Sequence, residues 1–343
     1  MSRQRLTLVA AAILLILLGT LGLDALLPVL GGRASLALPD VAQNFVTVFL
    51  GIFIEAAPFL LLGALASGLI TVFVTADDIA RLMPRNRLAA TLIGALLGII
   101  FPVCECGVIP VVRRLCQKGF PLSAGIAFLL AAPVINPIVL ASTYAAFGAG
   151  PVFWARIALT LVIAIAIGLI FSLQPGLARV MRPLSLPPLA GGTPTVGVPP
   201  AASRPGPATA LQRAVAVAAD EFFDVAPYLI GGSLIATALQ TFVPQQALIG
   251  IGSGAASSVV AMLALAFVLS VCSTVDAFLA LNFVNTFTSG AIIAFLVFGP
   301  MIDVKSTLML LGVFRRRVVA YLIALTFAFA LLAGLAINLN IAW

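Results

Sequence analysis

Residues 101–110 read Phe-Pro-Val-Cys-Glu-Cys-Gly-Val-Ile-Pro and lie in the middle of a long apolar stretch. Prolines, a glycine, two thiols and a carboxylate therefore interrupt what otherwise reads as a membrane helix. An unpaired backbone polar group in hydrocarbon costs several kcal/mol, so a broken helix is tolerated there only inside protein or beside a cavity. An ionisable group at that depth is a functional candidate by default. The stretch predicts a broken segment with a functional role.

The composition of the whole chain indicates the same environment. Its 343 residues are 62% hydrophobic and 8% charged, against about 25% charged in an ordinary soluble domain. Several apolar runs reach the roughly 20 residues that a membrane helix needs, and they lack the alternation of an outer-membrane β-barrel. We therefore expect an all-α polytopic protein that crosses the lipid bilayer of a bacterial cytoplasmic (inner) membrane several times.

Several classes of function are excluded or disfavoured. The net charge of +7 comes from basic residues in loops, which fits the positive-inside rule better than nucleic-acid binding. The chain has no histidine, the commonest metal ligand and general base. Its four cysteines form no disulfide framework, and no phosphate-binding P-loop is present. We expect no cofactor.

The chain divides into two similar halves. Matching motifs occur at 55–60 and 224–229, at Cys104 and Cys272, and at 133–136 and 300–303, with offsets of 167 to 169. The predicted parts are a first transmembrane span in 1–40, a first membrane repeat in 41–173, a proline-rich cytoplasmic linker in 174–212 and a second repeat in 213–343. Within them we expect spans near 6–30, 41–74, 121–147, 151–173, 214–243, 289–312 and 318–341.

Charge predicts the orientation of the two repeats. Basic residues near 3–5, 81–87, 113–118 and 315–317 belong in the cytoplasm, whereas the uncharged loops 244–255 and 284–290 belong outside. The broken segments 88–117 and 256–288 must then enter and leave on the same side, from opposite faces. The expected fold is two inverted repeats with re-entrant helical hairpins and discontinuous helices, an architecture in which substrate sites lie near the bilayer midplane.

The candidate substrate-binding residues lie at the two tips and at two proline-containing breaks. They are Cys104, Glu105, Cys106, Pro133, Asn136, Cys272, Ser273, Thr274, Asp276 and Asp303. Thiolates bind soft ions, which makes Cys104, Cys106 and Cys272 candidate metal ligands. The alternative is that these cysteines are small buried hydrophobes and that the prolines only kink their helices.

Four carboxylates in apolar segments are candidates for proton coupling. They are Glu55, Asp224, Asp276 and Asp303. For Glu55 and Asp224 the alternative is a structural hydrogen bond to a neighbouring broken helix. Lys305 either pairs with Asp303 or marks the cytoplasmic end of its helix.

Three motifs together carry a family resemblance. Pro-Val-Cys-Glu-Cys-Gly-Val-Ile-Pro at 102–110, Lys-Gly-Phe-Pro-Leu at 118–122 and Ala-Ala-Pro-Val-Ile-Asn-Pro at 131–137 resemble the predicted permeases that include the ArsP organoarsenical efflux permeases and the YraQ-type permeases. The resemblance spans about 41–341 and implies a membrane permease in which Cys104, Cys106 and Cys272 bind trivalent organoarsenicals. Glu105 departs from the Cys-Ser-Cys-Gly of ArsP-like members, which favours a thiophilic metal cation here.

The sequence thus predicts a secondary transporter, not an enzyme, that exports a trivalent organoarsenical or a soft metal ion. One alternative is the permease subunit of a two-component membrane complex with another substrate, such as amino acids. A membrane thiol oxidoreductase is a further alternative, disfavoured because Cys-x-Cys closes a strained ring. The expected partners are a small-molecule or metal-ion substrate and a second membrane subunit or a further copy of the chain.

Overall fold

The computed structural model describes residues 40–84, 86–101, 103–173, 180, 207–242 and 254–340. The expected span at 6–30, nearly all of the linker and the loop at 243–253 lie outside these ranges. The described residues from 45 onwards form one compact unit, which contains both broken segments. Every regular element in the described ranges is an α-helix. In chain order they are α1 Asp40–Phe73, α2 Ala76–Leu82, α3 Arg87–Ile100, α4 Glu105–Gln117, α5 Leu122–Ile135, α6 Pro137–Phe147, α7 Pro151–Phe171, α8 Pro207–Phe242, α9 Ala255–Leu269, α10 Asp276–Leu281, α11 Ser289–Met301, α12 Val304–Val313 and α13 Arg316–Asn340.

Five described stretches are long and apolar enough to cross a membrane. They are Gln43–Phe73, Pro151–Phe171, Ala210–Thr241, Ser289–Val313 and Arg316–Asn340, and the pair α5 and α6, bent by 40°, would be a sixth. In the apolar window of Ser289–Val313, 83% of residues are buried inside the protein, against 11% for Gln43–Phe73. The helix α11 is therefore central, whereas α1 leaves most of its apolar surface for lipid.

Both proline-containing spans break where the sequence predicts. Asn136 ends α5, and its Oδ1 accepts the Val139 N–H at 2.9 Å as the N-cap of α6. Pro137 follows as the first residue of α6, where its missing N–H costs nothing. In the second half, Asp303 Oδ1 accepts the Ser306 N–H at 2.5 Å and caps α12. In each half, a polar N-cap residue therefore follows the helix break, Asn136 in the first and Asp303 in the second.

The first broken segment reverses direction at its tip. Gly94 and Gly98 of α3 pack on Ala124 and Ala132, so α3 runs parallel to α5. Along α4 the order is opposite: Cys116 contacts Gly125, near the start of α5, whereas Ile109 lines a cavity with Leu129 further along. The two arms therefore run antiparallel to each other, and Val103 O at the tip accepts Asn136 Nδ2 at 3.4 Å.

The second broken segment also ends near where it began. Ser258 Oγ accepts the Thr288 N–H at 3.2 Å, and Ala266 lies beside Gly299, so α9 runs parallel to α11. Between these points the chain passes through the tip at 270–275 and the short helix α10, and then reaches Phe283, whose ring contacts that of Phe295.

The returning end of the first broken segment is anchored to the end of α1. Lys118 Nζ donates to the carbonyls of Ile70 at 2.9 Å, of Thr71 at 2.6 Å and of Val74. These carbonyls end a helix and carry the negative end of its dipole, which an ammonium compensates. Partial burial and the neighbouring Arg114 lower the pKa of Lys118 from its ordinary value, and Asp78 opposes them.

The boundary between the linker and the second repeat differs from the expectation. The helix α8 begins at Pro207, within the stretch assigned to the linker as far as 212. Proline is tolerated in the first turn of a helix, and the small residues after it favour helix. The proline count of the region concealed this early start.

Candidate functional site

The first tip contacts the second half of the protein through a buried ion pair. Glu105 is the first residue of α4, and its Oε1 lies 3.0 Å from Nζ of Lys305 in α12. The side chains are 4% and 2% exposed. A carboxylate at the start of a helix is favoured by the helix dipole. The local fold thus holds Glu105 at the tip, and the pair joins that tip to the second helix break.

The same ammonium group contacts two further parts of the second half. Asp303 Oδ2 lies 3.8 Å from Lys305 Nζ, so of the two alternatives for Lys305 the structure shows the pairing with Asp303. Lys305 Nζ also donates to the Ser270 carbonyl at 3.4 Å. Ser270 has a φ of 47°, a left-handed conformation that is uncommon for a residue other than glycine. Lys305 therefore links the first tip, the second break and the start of the second tip.

The second tip makes a reciprocal pair with the first half. Asp276 is the first residue of α10. Arg156 of α7 donates two hydrogen bonds to its carboxylate, from Nη2 to Oδ2 at 2.6 Å and from Nη1 to Oδ1 at 3.1 Å. Arg156 Nη1 also donates to Thr143 Oγ1 of α6 at 2.8 Å. The side chains of Arg156 and Asp276 are 0% and 3% exposed. Each tip thus has a carboxylate at the first position of the helix that follows it. This carboxylate forms an ion pair with a basic side chain from the other half of the chain.

Four buried polar atoms of the side chains at this centre have no hydrogen-bond partner. They are Glu105 Oε2, Asp303 Oδ2, Ser273 Oγ and Arg156 Nε. Buried polar atoms are nearly always hydrogen-bonded, so such exceptions require an explanation. A narrow cavity lies beside Glu105, lined by Glu105 and Ser306 together with apolar side chains of α4, α5, α11 and α12. These unpaired atoms make the centre the candidate site of the protein.

The thiols lie at the two tips. Cys104 is the N-cap residue of α4 and is 5% exposed, and Cys106, two residues later, is 0% exposed. Cys272 at the second tip accepts a hydrogen bond from Thr274 Oγ1 at 3.5 Å. All four cysteines are free. No group of three or more metal-binding side chains converges within the described residues, so the ligand set Cys104, Cys106 and Cys272 remains a prediction.

A family model described as "Predicted permease" (ArsP_1) matches residues 41–339. The chain belongs to this family. It is 47% identical over 281 residues to the "UPF0718 protein YcgR" of Bacillus subtilis (strain 168), which covers 81% of this chain and 91% of that protein. It is 36% identical over 284 residues to a "Putative two-component membrane permease complex subunit" of Streptococcus mutans serotype c, covering 82% and 90%. No solved structure matches the chain. The protein is thus a multi-pass permease of a bacterial membrane.

The other predicted residues of the permease divide between the centre and its surroundings. Pro133 is buried in α5. Asn136 is buried at the first helix break, and its Nδ2 donates to the Val103 carbonyl of the first tip. Glu55 is half-buried on α1. Asp224 belongs to a different group: Arg113 Nη1 lies 3.9 Å from its Oδ2, and its other charged neighbours are Arg114 and Asp220.

Two charged residues of the permease were not predicted from the sequence. Arg156 is the single charged residue between 151 and 173, and this isolation is a signal that it faces a buried partner. Glu221 pairs with Arg114, from Oε1 to Nε, at 2.5 Å and is 2% exposed. It stands among other charged residues in the first half of α8, so the sequence offers no comparable signal.

Proposed function

We propose that this permease is a secondary transporter of two inverted repeats, with re-entrant hairpins at 88–117 and 256–288. Its substrate would pass the centre where the hairpin tips meet the helix breaks. The observation that carries the proposal is the 3.0 Å ion pair between Glu105 and Lys305, which joins the tip of one repeat to the break of the other inside the protein. Transporters of this design bind substrate at discontinuous helices near the midplane.

The internal order of the two halves supports the repeat. In the first half α3 runs parallel to α5, which ends at a break capped by Asn136. In the second half α9 runs parallel to α11, which ends at a break capped by Asp303. Each half also has a segment that leaves and returns before its broken helix. Motion of one repeat against the other would expose the centre to alternate sides.

The substrate that we propose is thiophilic, a trivalent organoarsenical or a soft metal ion, and the direction is export. Support comes from the neighbouring thiols of Cys104 and Cys106, which are buried at the tip beside Glu105. The other binding groups would come from Asn136, Asp303 and the second tip, 272–276. A soft donor such as sulfur selects soft ions over the hard cations that are abundant in the cell.

For proton coupling the geometry favours Asp276 and Asp303 over Asp224. Both lie in the centre, buried and within the ion-pair network that joins the repeats. Asp224 instead lies beside Arg113, with 24% of its side chain exposed. A group whose charge changes alters the balance between conformations only where it contacts moving parts.

A second candidate is a permease subunit that works with a partner. The observation that favours it is the name of the Streptococcus mutans relative, which describes one subunit of a two-component complex. Tagged protein purified from its native membrane tests this candidate. A second membrane protein at equal stoichiometry would support it, and full transport by the purified chain alone in liposomes would refute it.

A transport assay in everted membrane vesicles tests the main proposal. The panel is trivalent organoarsenicals, arsenite, Ag(I), Zn(II) and amino acids. Cys104→Ser and Cys106→Ser should each abolish transport of the thiophilic substrate with normal membrane insertion, because a hydroxyl cannot replace a thiolate as a soft donor. The matched control is Cys116→Ser, a buried cysteine at the other end of α4. Normal transport by both tip variants would refute the thiophilic site.

A further inference from the structure

A further ion pair joins the two halves of the permease away from the centre. Arg114 Nε of α4 lies 2.5 Å from Glu221 Oε1 of α8, and the Glu221 side chain is 2% exposed. Glu105 is the first residue of α4, so at a rise of 1.5 Å per residue Arg114 lies about 13 Å from it along the helix. The basic residues at 113–118 belong in the cytoplasm by the positive-inside rule, which puts this pair between the centre and the cytoplasm.

Three helices from the two halves meet at the level of this pair. Lys118 holds the end of α4 to the end of α1. Gly68 of α1 is so close to α8 that an added Cβ would lie 2.3 Å from the Ala214 carbonyl. A second pair between α4 and α8, Arg113 with Asp224 at 3.9 Å, flanks the first. The helices α1, α4 and α8 are thus in contact on the cytoplasmic side of the centre.

The other side of the centre has no counterpart of these ion pairs. The matching motifs set an offset of 169 between α1 and α8 and of 168 between the broken segments. At these offsets the positions that match Glu221, Asp224, Arg113 and Arg114 are, in that order, Ile52, Glu55, Leu281 and Asn282. Neither ion pair can form between them. An interaction that the fold of a repeat requires would be expected in both repeats, so this one serves a single side of the membrane.

The chemistry of this contact suits a closure that opens in every transport cycle. A buried ion pair adds little net stability, because the hydration that its charges recover on separation offsets their lost attraction. Glu221 Oε2 is buried without a hydrogen bond, so water that enters on opening would supply one. An apolar seal would instead expose hydrophobic surface, and the free energy of opening would rise with the exposed area.

We propose that Arg114 and Glu221 form a gate that closes the centre from the cytoplasm, and that this pair separates when substrate enters from that side. The inference rests on the proposed function and adds the residues that control access to its site. Both residues position the two halves and do not themselves bind substrate. Opening on the cytoplasmic side accompanies closure on the outer side, because both follow from the motion of one repeat against the other.

The labelling rate of the native tip cysteines, measured separately from each side of the membrane, tests the gate. The reagent is a charged, membrane-impermeant maleimide, applied to everted vesicles for the cytoplasmic side and to right-side-out vesicles for the outer side, in a Cys116→Ser background. Glu221→Gln should raise the labelling rate of Cys104 and Cys106 from the cytoplasmic side about tenfold, because loss of the pair shifts the population towards the open state. From the outer side the rate should not rise.

Reversal of both charges separates the ion pair from a general loss of stability. Arg114→Glu with Glu221→Arg should return the cytoplasmic labelling rate to within about twofold of the background. The matched control is Arg87→Gln, which removes a cytoplasmic arginine whose hydrogen bond to the Ser172 carbonyl lies within the first repeat, and it should label as the background does. If Glu221→Gln fails to insert, Arg114→Gln provides the same test at a side chain that is 25% exposed.

The side from which labelling rises decides the result. Equal rises from both sides would show that the variants only loosen the protein, and this outcome overturns the proposal. An unchanged cytoplasmic rate, a rise from the outer side alone, or a charge-reversed variant that labels as fast as Glu221→Gln overturns it as well. Because labelling needs no substrate, failure of the gate leaves vesicle transport to be measured on its own. Failure of the proposed function would instead show as an absence of transport for every compound tested, whatever the labelling rates.

Discussion

Two fully buried ion pairs, each between the two halves of the chain, dominate the centre of this permease at the scale of single residues. Such a pair adds little net stability, because burial of two charges costs about as much free energy as their attraction contributes. Removal of one partner is nevertheless strongly destabilising, since the remaining charge stays buried without a counter-charge. The pair of Arg156 and Asp276 is the clearer case, because it has two short bonds and almost no exposure.

Arg156→Ala should therefore destabilise the protein by about 3–5 kcal/mol, the usual effect of leaving a buried charge unpaired. Removal of both charges in Arg156→Met with Asp276→Leu should cost clearly less than Arg156→Ala, because no charge is left behind. Thermal unfolding of the detergent-purified protein gives the measurement.

The matched control at this scale is Arg113→Ala. Arg113 and Asp224 are 3.9 Å apart, and their side chains are 12% and 24% exposed. Partly solvated pairs of this kind contribute about 1 kcal/mol or less. If Arg156→Ala unfolds at the same temperature as Arg113→Ala, the buried pair does not hold the second tip in place.

Most charged residues of this centre could be predicted from the sequence, but the ion pairs between them could not. Glu105, Asp276 and Asp303 stand out because a charge within an apolar run needs a reason to be there. The link from Glu105 to Lys305 could not be predicted, since it joins residues in different halves and depends on how two broken segments fold back. Arg156 was missed because a basic residue near the start of an apolar span reads as an anchor in the membrane interface.

The helix α1 approaches the first tip closely enough that only glycine fits between them. A Cβ placed on Gly63 would overlap the backbone of Gly107, and one on Gly107 would lie 2.9 Å from the Phe59 carbonyl. Membrane helices pack through small residues because lipid offers no hydrophobic drive for their association. The position of the tip therefore depends on two glycines that face each other, one in α1 and one in α4.

Gly63→Ala should push α1 away from the tip and lower stability by about 1–3 kcal/mol, the typical cost of overpacking. Transport should fall further than stability alone explains, since Gly107 is two residues from Glu105. Vesicle transport, normalised to the amount of folded protein, measures the effect.

Gly51→Ala is the control in the same helix, because no atom lies within 4 Å of its added Cβ. It should be neutral or slightly stabilising, as alanine favours a helix over glycine. Equal losses in Gly51→Ala and Gly63→Ala would show that helix propensity, not the contact with Gly107, is responsible.

At the scale of the helices, the prolines of the sequence marked both breaks correctly, at Asn136 and at Asp303. The short helix α2 was not anticipated, although its capping box of Thr75 and Asp78 is readable in the sequence. The start of α8 at Pro207 was concealed by the surrounding prolines. The breaks at Asn136 and Asp303 were thus predictable, whereas Pro58 and Pro227 lie inside continuous helices. Proline alone therefore does not locate a break.

At the scale of the whole molecule, both ends of the first broken segment lie at the same end of the helices that surround it. Arg87 Nη1, at the start of α3, donates to the Ser172 carbonyl at the end of α7 at 3.4 Å. The end of α4 lies beside the start of α5, where Cys116 contacts Gly125. The span formed by α5 and α6 leads away from that side, and α7 leads back to it.

Labelling with a membrane-impermeant maleimide tests this sidedness. Cysteines introduced at the exposed positions Asn86 and Gln117 should react from the same side, the cytoplasm, and a cysteine at exposed Ala149 should react from the other. The native cysteines give little background because all four are buried. Reaction at 86 and 117 from opposite sides would contradict a re-entrant first segment.

The crossed pairing of the tips also has a consequence for synthesis of the chain. Lys305 leaves the ribosome 200 residues after Glu105, and Asp276 leaves 120 residues after Arg156. The first half therefore enters the bilayer with two charged groups whose partners do not yet exist. Until the second half arrives, these groups must remain hydrated or be held by the insertion machinery. The last step of assembly is then the docking of two inserted halves. A ribosome stalled before residue 305 would leave Glu105 without its basic partner.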